Sequence, residues 1–322
     1  MKTRYAYILV TLSAVVLFLS GFTSEKDFPA PVKEPAAAIY INLSSSGIFD
    51  EESNSACEEI AKNVANICKL RNANVSENEY KNLTLSFLKE SIVSGYLKIH
   101  EIYFYYKNAE EYALIAKGEF DLFTIAEKSK AEMVFDQNEK LIKITTSISS
   151  NNENEKMLLQ ANNNTLVICP EKTLPDIVSN LENNKNLLGE KFKTFGQMLK
   201  HNPAISAEID IQRVFKDMGI ENLPKSVTAT DLVRLFIAAK QNKIQISVPE
   251  DEDREELKKE LEKQTPVLNN IFDNKTDYKL REGKSSLFIE TKTDEEQVQS
   301  ISQKATAFML HFFVKNISSD QQ

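Results

Sequence analysis

Glycine is scarce, with eight in 322 residues, and none stands in a GxGxxG or GxxxxGK loop. The backbone cradles that usually bind nucleotide phosphates are therefore missing, and no cofactor is expected. Histidine is scarcer still: His100, His201 and His311 are the full set. None has a carboxylate or nucleophile at motif spacing, and neither HExxH nor GxSxG occurs, so each reads as a structural residue. A site assembled from distant residues leaves no such trace, so catalytic residues stay unknown at this level. Three cysteines, Cys57, Cys68 and Cys169, are too few for a disulfide framework, and none has a second Cys or His at metal-ligand spacing. Positive charge is also in deficit, with 39 Lys and Arg against 47 Asp and Glu and a formal net charge of −8. An acidic chain lacks the clustered cations that phosphate backbones reward, which argues against a nucleic-acid partner.

What the chain does have begins at its N-terminus. Lys2 and Arg4 precede an uncharged run from Tyr5 to Phe22, broken only by Thr11, Ser13 and Ser20. A core helix of that length would show a polar face, so residues 1–24 read as a signal peptide or N-terminal anchor. Leu19-Ser20-Gly21 and Phe22-Thr23-Ser24 each put a large residue at the outer position of a cleavage site. Cleavage is the preferred reading, yet 18 uncharged residues meet the lower end of the about 17 to 25 needed to span a bilayer. Membrane contact is then confined to residues 5–22, and only if they are retained. No Cys lies near the end of the run, which excludes a bacterial lipoprotein anchor. The expected location is exported, in the periplasm or cell envelope.

Residues 25–35 carry three prolines and read as an extended spacer. The remainder divides at the polar run Asn183 to Asn186 into a domain or half at 36–186 and a second at 187–322. In the first, a strand at Ala36 to Leu43 precedes an amphipathic helix over 53–70 and a second helix through Leu83, Leu88 and Val93. Tyr96 to Lys107 and Tyr112 to Lys117 form a hairpin, and Asp121 is placed to cap a helix at 122–130. Two more hairpins follow, at 132–148 and 156–169, and then a helix from Thr173. In the second half the pattern marks a helix around Phe195 and strands at 207–211, 227–239, 243–248 and 286–290. Charged and apolar residues alternate at helical spacing over 251–264, and an apolar stripe from Val298 to Phe312 marks a final helix. Short turns between strands make the fold class α+β, with largely antiparallel sheets, helices packed on one face and two loosely similar halves.

Cys57 and Cys68 share one apolar stripe, but eleven helical residues rise about 16 Å, beyond disulfide reach. Buried free thiols are expected, with a bridge from either to Cys169 left open. Asp251-Glu252-Asp253 suits a helix start, where the macrodipole favours negative charge. Asp273 to Asp277 has the look of a calcium loop, yet Lys275 stands at its third position and no Gly at its sixth. In Tyr103-Phe104-Tyr105-Tyr106, strand alternation puts Tyr103 and Tyr105 on one face and Phe104 and Tyr106 on the other, one core and one surface. Six Asn-x-Ser/Thr sites, beginning at Asn42, are what so Asn-rich a composition yields by chance.

Ala113-Leu114-Ile115-Ala116-Lys117-Gly118-Glu119-Phe120-Asp121 followed by a helix, and Thr165-Leu166-Val167-Ile168 with Glu171 and another helix, resemble an uncharacterised group of bacterial exported α+β proteins. In that group a strand ends in a Gly-x-Phe-Asp turn before a helix. The resemblance spans some 80 residues, brings no catalytic residues with it, and implies an envelope location and an α+β fold. Together these features favour a non-enzymatic binding or scaffolding component of the envelope, with an envelope protein as partner. Two alternatives stand beside it: a hydrolase whose site is assembled in space, and a membrane-anchored subunit of an envelope complex.

Overall fold

The structure is a computed structural model that describes residues 30–48, 53–70, 77–93, 96–108, 110–121, 124, 127, 132–136, 141–145, 156–162, 164–183, 185–201, 203–217, 219, 225–238, 241–263, 278–292 and 294–318. The apolar run at 5–22, the acidic stretch 273–277 and the side chains of Cys68 and His311 lie outside the described residues.

All twelve described strands join one antiparallel sheet. They are β1 (Ala37–Asn42), β2 (Leu97–Asn108), β3 (Glu111–Phe120), β4 (Glu132–Asp136), β5 (Leu141–Thr145), β6 (Lys156–Asn162), β7 (Thr165–Pro170), β8 (Ile205–Ile209), β9 (Leu232–Ala238), β10 (Gln241–Ser247), β11 (Tyr278–Glu282) and β12 (Ser286–Thr291). Their order in space is β11-β12-β10-β9-β8-β1-β2-β3-β7-β6-β5-β4. The order outward from β1, β1-β2-β3-β7-β6, is matched outward from β8 by β8-β9-β10-β12-β11, with β4 and β5 extending the first side. The α+β class with an antiparallel sheet is therefore what the chain adopts. The polar run at 183–186 falls between the two sides of this order without breaking the sheet, because β1 pairs with β2 on one flank and β8 on the other.

Helices cover the sheet unequally. On one face lie α1 (Ser53–Leu70), α5 (Ile211–Asp217), α7 (Asp251–Lys263) and α8 (Glu295–Ser318). Their Cys57, Ile60, Val64, Phe215, Leu257 and Ile301 meet Ile39, Ile41, Ile102, Ala207, Leu235 and Ile289 of the strands. The i, i+3, i+4, i+7 spacing of Cys57, Ile60, Ala61 and Val64 makes α1 helical and points that stripe at the sheet. The opposite face carries a second, smaller layer: α3 (Leu174–Glu182), α4 (Lys193–Leu199) and the segment at Ala30 and Val32. These pack on Tyr40, Tyr103, Tyr105, Ile115 and Val167, so the expectation of helices on one face alone is corrected for β1, β2, β3 and β7. The same layer corrects the expectation of a surface side to the aromatic run, since Tyr103 and Tyr105 are buried and Phe104 and Tyr106 pack against the other core. Within the proline-rich stretch, Ala30 bridges Asn186, and Glu34 N–H donates to the Leu187 carbonyl at 2.9 Å.

Several boundaries differ from expectation. The strand placed at 207–211 is β8 at Ile205–Ile209, and the start of the strand placed at 227–239 is instead a helical turn, α6 (Lys225–Thr228). β11 has no strand signature in the sequence, because Tyr278-Lys279-Leu280-Arg281-Glu282 alternates charge with a single Leu. Gly118, expected to open a turn, lies inside β3, which runs on to Phe120. Its partner strand β2 is bulged between Ile99 and Glu101, and a Cβ on Gly118 would sit 2.0 Å from the Lys98 carbonyl oxygen. Only glycine admits that approach. Asp121 accepts from Thr124 N–H at 3.2 Å and from the Thr124 hydroxyl at 2.8 Å, and most of the helix expected at 122–130 lies outside the described residues.

Gly118→Ala must displace backbone rather than a side-chain tip, so it is expected to lower unfolding stability by about 1–3 kcal/mol. Urea unfolding followed by circular dichroism checks this, and a midpoint unchanged from wild type contradicts it.

Candidate functional site

The face of the sheet opposite α1 and α8 changes character along its length. Under α3 and α4 it is aromatic and aliphatic; across β9, β10, β12 and β11 it presents Arg234, Phe236, Lys243, Gln245, Phe288, Glu290, Lys279 and Arg281. Among the described residues, no helix belongs to an apolar cluster on that second stretch. The contrast follows from the final helices of the two sides: α3, after β7, packs on this face, whereas α8, after β12, packs with α1 on the other.

Between the covered and uncovered stretches sits a buried polar group of residues. Glu208 is fully buried, and its Oε1 accepts from Arg234 Nε, its cross-strand partner. Burial pushes the Glu208 carboxyl above the ordinary carboxylate range, against the opposing effects of Arg234 and of a backbone hydrogen bond from Phe195. Its second oxygen, the Ser206 hydroxyl and the Tyr105 hydroxyl are buried without a hydrogen-bond partner. Next to them the rings of Tyr40 and Tyr103 lie tilted at 39° to one another with centroids 4.2 Å apart, and the Tyr103 hydroxyl donates to Glu101 Oε2 at 3.1 Å. Lys117 Nζ lies 5.1 Å from the Tyr103 ring centre. Burial, joined by the nearby Glu101 charge, raises the phenol of Tyr40; that of Tyr103 is raised by burial and then by Tyr40, so both stay protonated at any physiological pH. These groups bind and orient one another.

The uncovered stretch is held in place by its own pairs. Lys243 Nζ is 3.5 Å from Glu290 Oε1 and 4.5 Å from the centre of the Phe288 ring, and Arg281 Nε is 3.3 Å from Glu290 Oε2. Gly283 leaves room for that ring: a Cβ there would stand 2.7 Å from Phe288 Cε2.

The histidines fall elsewhere. His100 lies on β2 with Nε2 3.9 Å from Glu119 Oε1, and His201 is exposed in the turn after α4. Asp251, Glu252 and Asp253 occupy the first turn of α7 as expected, with Asp253 ion-paired to Lys225 and Asp251 to Arg254. Arg254, unnoticed in the sequence, is 5% exposed and clamps α7 to the Val248 carbonyl at 3.0 Å and to Glu282 at 3.3 Å. Contrary to the reading that no catalytic spacing occurs, a Ser-x-x-Lys spacing stands at Ser86 and Lys89; it straddles the change from α2 (Glu77–Phe87) to a π turn, and both residues are exposed. Cys57 and Cys169 are buried free thiols in the cores on opposite faces, the latter pushed by burial up to about 12. Asn42 is buried and its side chain accepts from Ser44 N–H, so that glycosylation sequence is structural. Among the described residues no group of three His, Cys, Asp or Glu is placed to hold a metal ion, and no helix is long and apolar enough to cross a membrane. No protein-family model matches the chain, and no curated protein matches it.

Because the folded state holds the Glu208 proton more tightly than the unfolded chain, the stability it supplies is complete below the ordinary carboxylate value of 4.5. That stability is lost as pH rises through the raised folded value. The stability of wild type relative to Glu208→Gln is therefore expected to increase as pH falls from about 7 toward that value, in paired urea titrations. A difference that stays flat, or grows with rising pH, contradicts the assignment.

Proposed function

We propose that this chain is an exported, non-enzymatic binding or scaffolding component of the cell envelope. The observation that carries the reading is the uncovered sheet face on β9–β12, where cations and phenyl rings stand in fixed positions on a continuous sheet. Open arrays of aromatic and charged side chains on a rigid frame are the form of a recognition surface. Chemistry, by contrast, calls for an exposed group tuned toward neutrality, and the strongly shifted groups are buried phenols and thiols. Export rests on Lys2, Arg4 and the uncharged run at 5–22. A tethered subunit is the second reading, favoured by the same run and by the large residues at the outer cleavage positions.

Fractionation of the source cells with N-terminal sequencing of the native protein tests the location. The expected result is a periplasmic protein beginning at Phe22 or Glu25; an intact Met1 in the membrane fraction selects the tethered form, and an intact Met1 in the cytosol refutes export. Turnover of esterase, peptidase or glycosidase substrates by the purified protein would overturn the non-enzymatic reading.

A further inference from the structure

We propose that the uncovered face of β9–β12 docks an acidic peptide segment of a partner protein, one that alternates carboxylates with apolar side chains. The inference rests on the binding reading above and names the chemistry of its partner.

The strand registers arrange this face as two rows. Lys279, Glu290, Lys243 and Phe236 lie across the four strands in one row, and Arg281, Phe288, Gln245 and Arg234 in the next. Four strands span about 14 Å at their usual spacing, the reach of four to five extended residues. Four cations stand here against two carboxylates. Glu290 is already shared between Lys243 and Arg281, and Glu208 beside the rows is held by Arg234. The face thus carries excess positive charge on a chain whose net charge is −8, and an acidic partner is the complement.

The arrangement also discriminates among anionic partners. Polyphosphate backbones and anionic bilayers reward contiguous Lys and Arg. Here each cation is separated from the next along its row by a phenyl ring, an amide or a carboxylate. A segment meeting that pattern must offer negative and apolar groups in turn, which an acidic peptide does. Lys243 Nζ lies over the Phe288 ring, and Gly283 leaves room beside it. Arg281 is 63% exposed on its side chain, so it is available to a ligand.

The full chain without residues 1–24 would be titrated with a fluorescein-labelled ten-residue Glu-Leu repeat, and in parallel with a Lys-Leu repeat, a heparin fragment and phosphatidylglycerol vesicles. Saturable binding of the Glu-Leu peptide is expected, with weakening of at least tenfold in Lys279→Glu/Arg281→Glu and of several-fold in Phe288→Ala. Circular dichroism and unfolding midpoints identify any variant that fails to fold; the exposed Lys279→Glu single variant then serves in place of the double, with a smaller loss expected. Absence of peptide binding, binding undiminished by correctly folded variants, or binding of heparin or vesicles alone overturns the proposal. Envelope extracts passed over wild type and the double variant separate the two levels of the account. A constant partner captured by both leaves the binding function intact and removes this surface; capture by neither removes the binding function itself.

Discussion

The ladder between β1 and β8 is the constraint on which the rest of the molecule depends. Ala37, Ile39 and Ile41 face Ile209, Ala207 and Ile205 toward one core, while Ala38 and Tyr40 face Glu208 and Ser206 toward the other. Every residue of both strands is buried. An isoleucine so placed contributes about 1.5–3 kcal/mol relative to an exposed one, so the seam between the two sides of the chain is among its best packed parts. It joins strands that follow residue 36 and residue 204, and therefore requires both sides of the chain to fold together.

From that seam the two sides diverge. The final helix of the first covers its own sheet; the final helix of the second crosses to pack on α1, and among the described residues no helix packs on the other face of the strands it follows. Side-chain chemistry tracks this difference position by position. Where α3 and α4 sit, the strands present Tyr105, Ile115 and Val167; where none of the described helices sits, they present Arg234, Lys243 and Phe288. The buried Glu208 and the half-buried Arg234 mark the boundary, one beneath the layer and the other at its edge. The pairing with Glu208 holds Arg234 in the open row.

Much of the fold was legible because its elements carry local patterns. The stripe Cys57, Ile60, Ala61, Val64 specifies α1 without reference to anything distant, and the hairpin β2–β3 announces itself by aromatic alternation about a polar turn. What escaped has causes outside the local pattern. β8 was misplaced because Glu208 and Ser206 look like solvent positions, and only burial from both faces makes them core. Gly118 reads as a turn residue until the bulge in β2 brings the Lys98 carbonyl against it. Arg254 reads as one charge in a charged helix; its burial depends on β11, a strand that the alternation of Lys279, Leu280 and Arg281 did not reveal. The candidate surface was illegible for the same reason, since its rows join residues from four strands and exist only through their registers.

Native-state hydrogen exchange tests the dependence on the β1–β8 ladder most directly. The amides of Ile39, Tyr40, Ala207 and Glu208 are expected to be among the slowest to exchange, opening with the free energy of global unfolding measured by urea. Fast exchange along β1 and β8, with slow cores persisting separately on either side, would contradict the account.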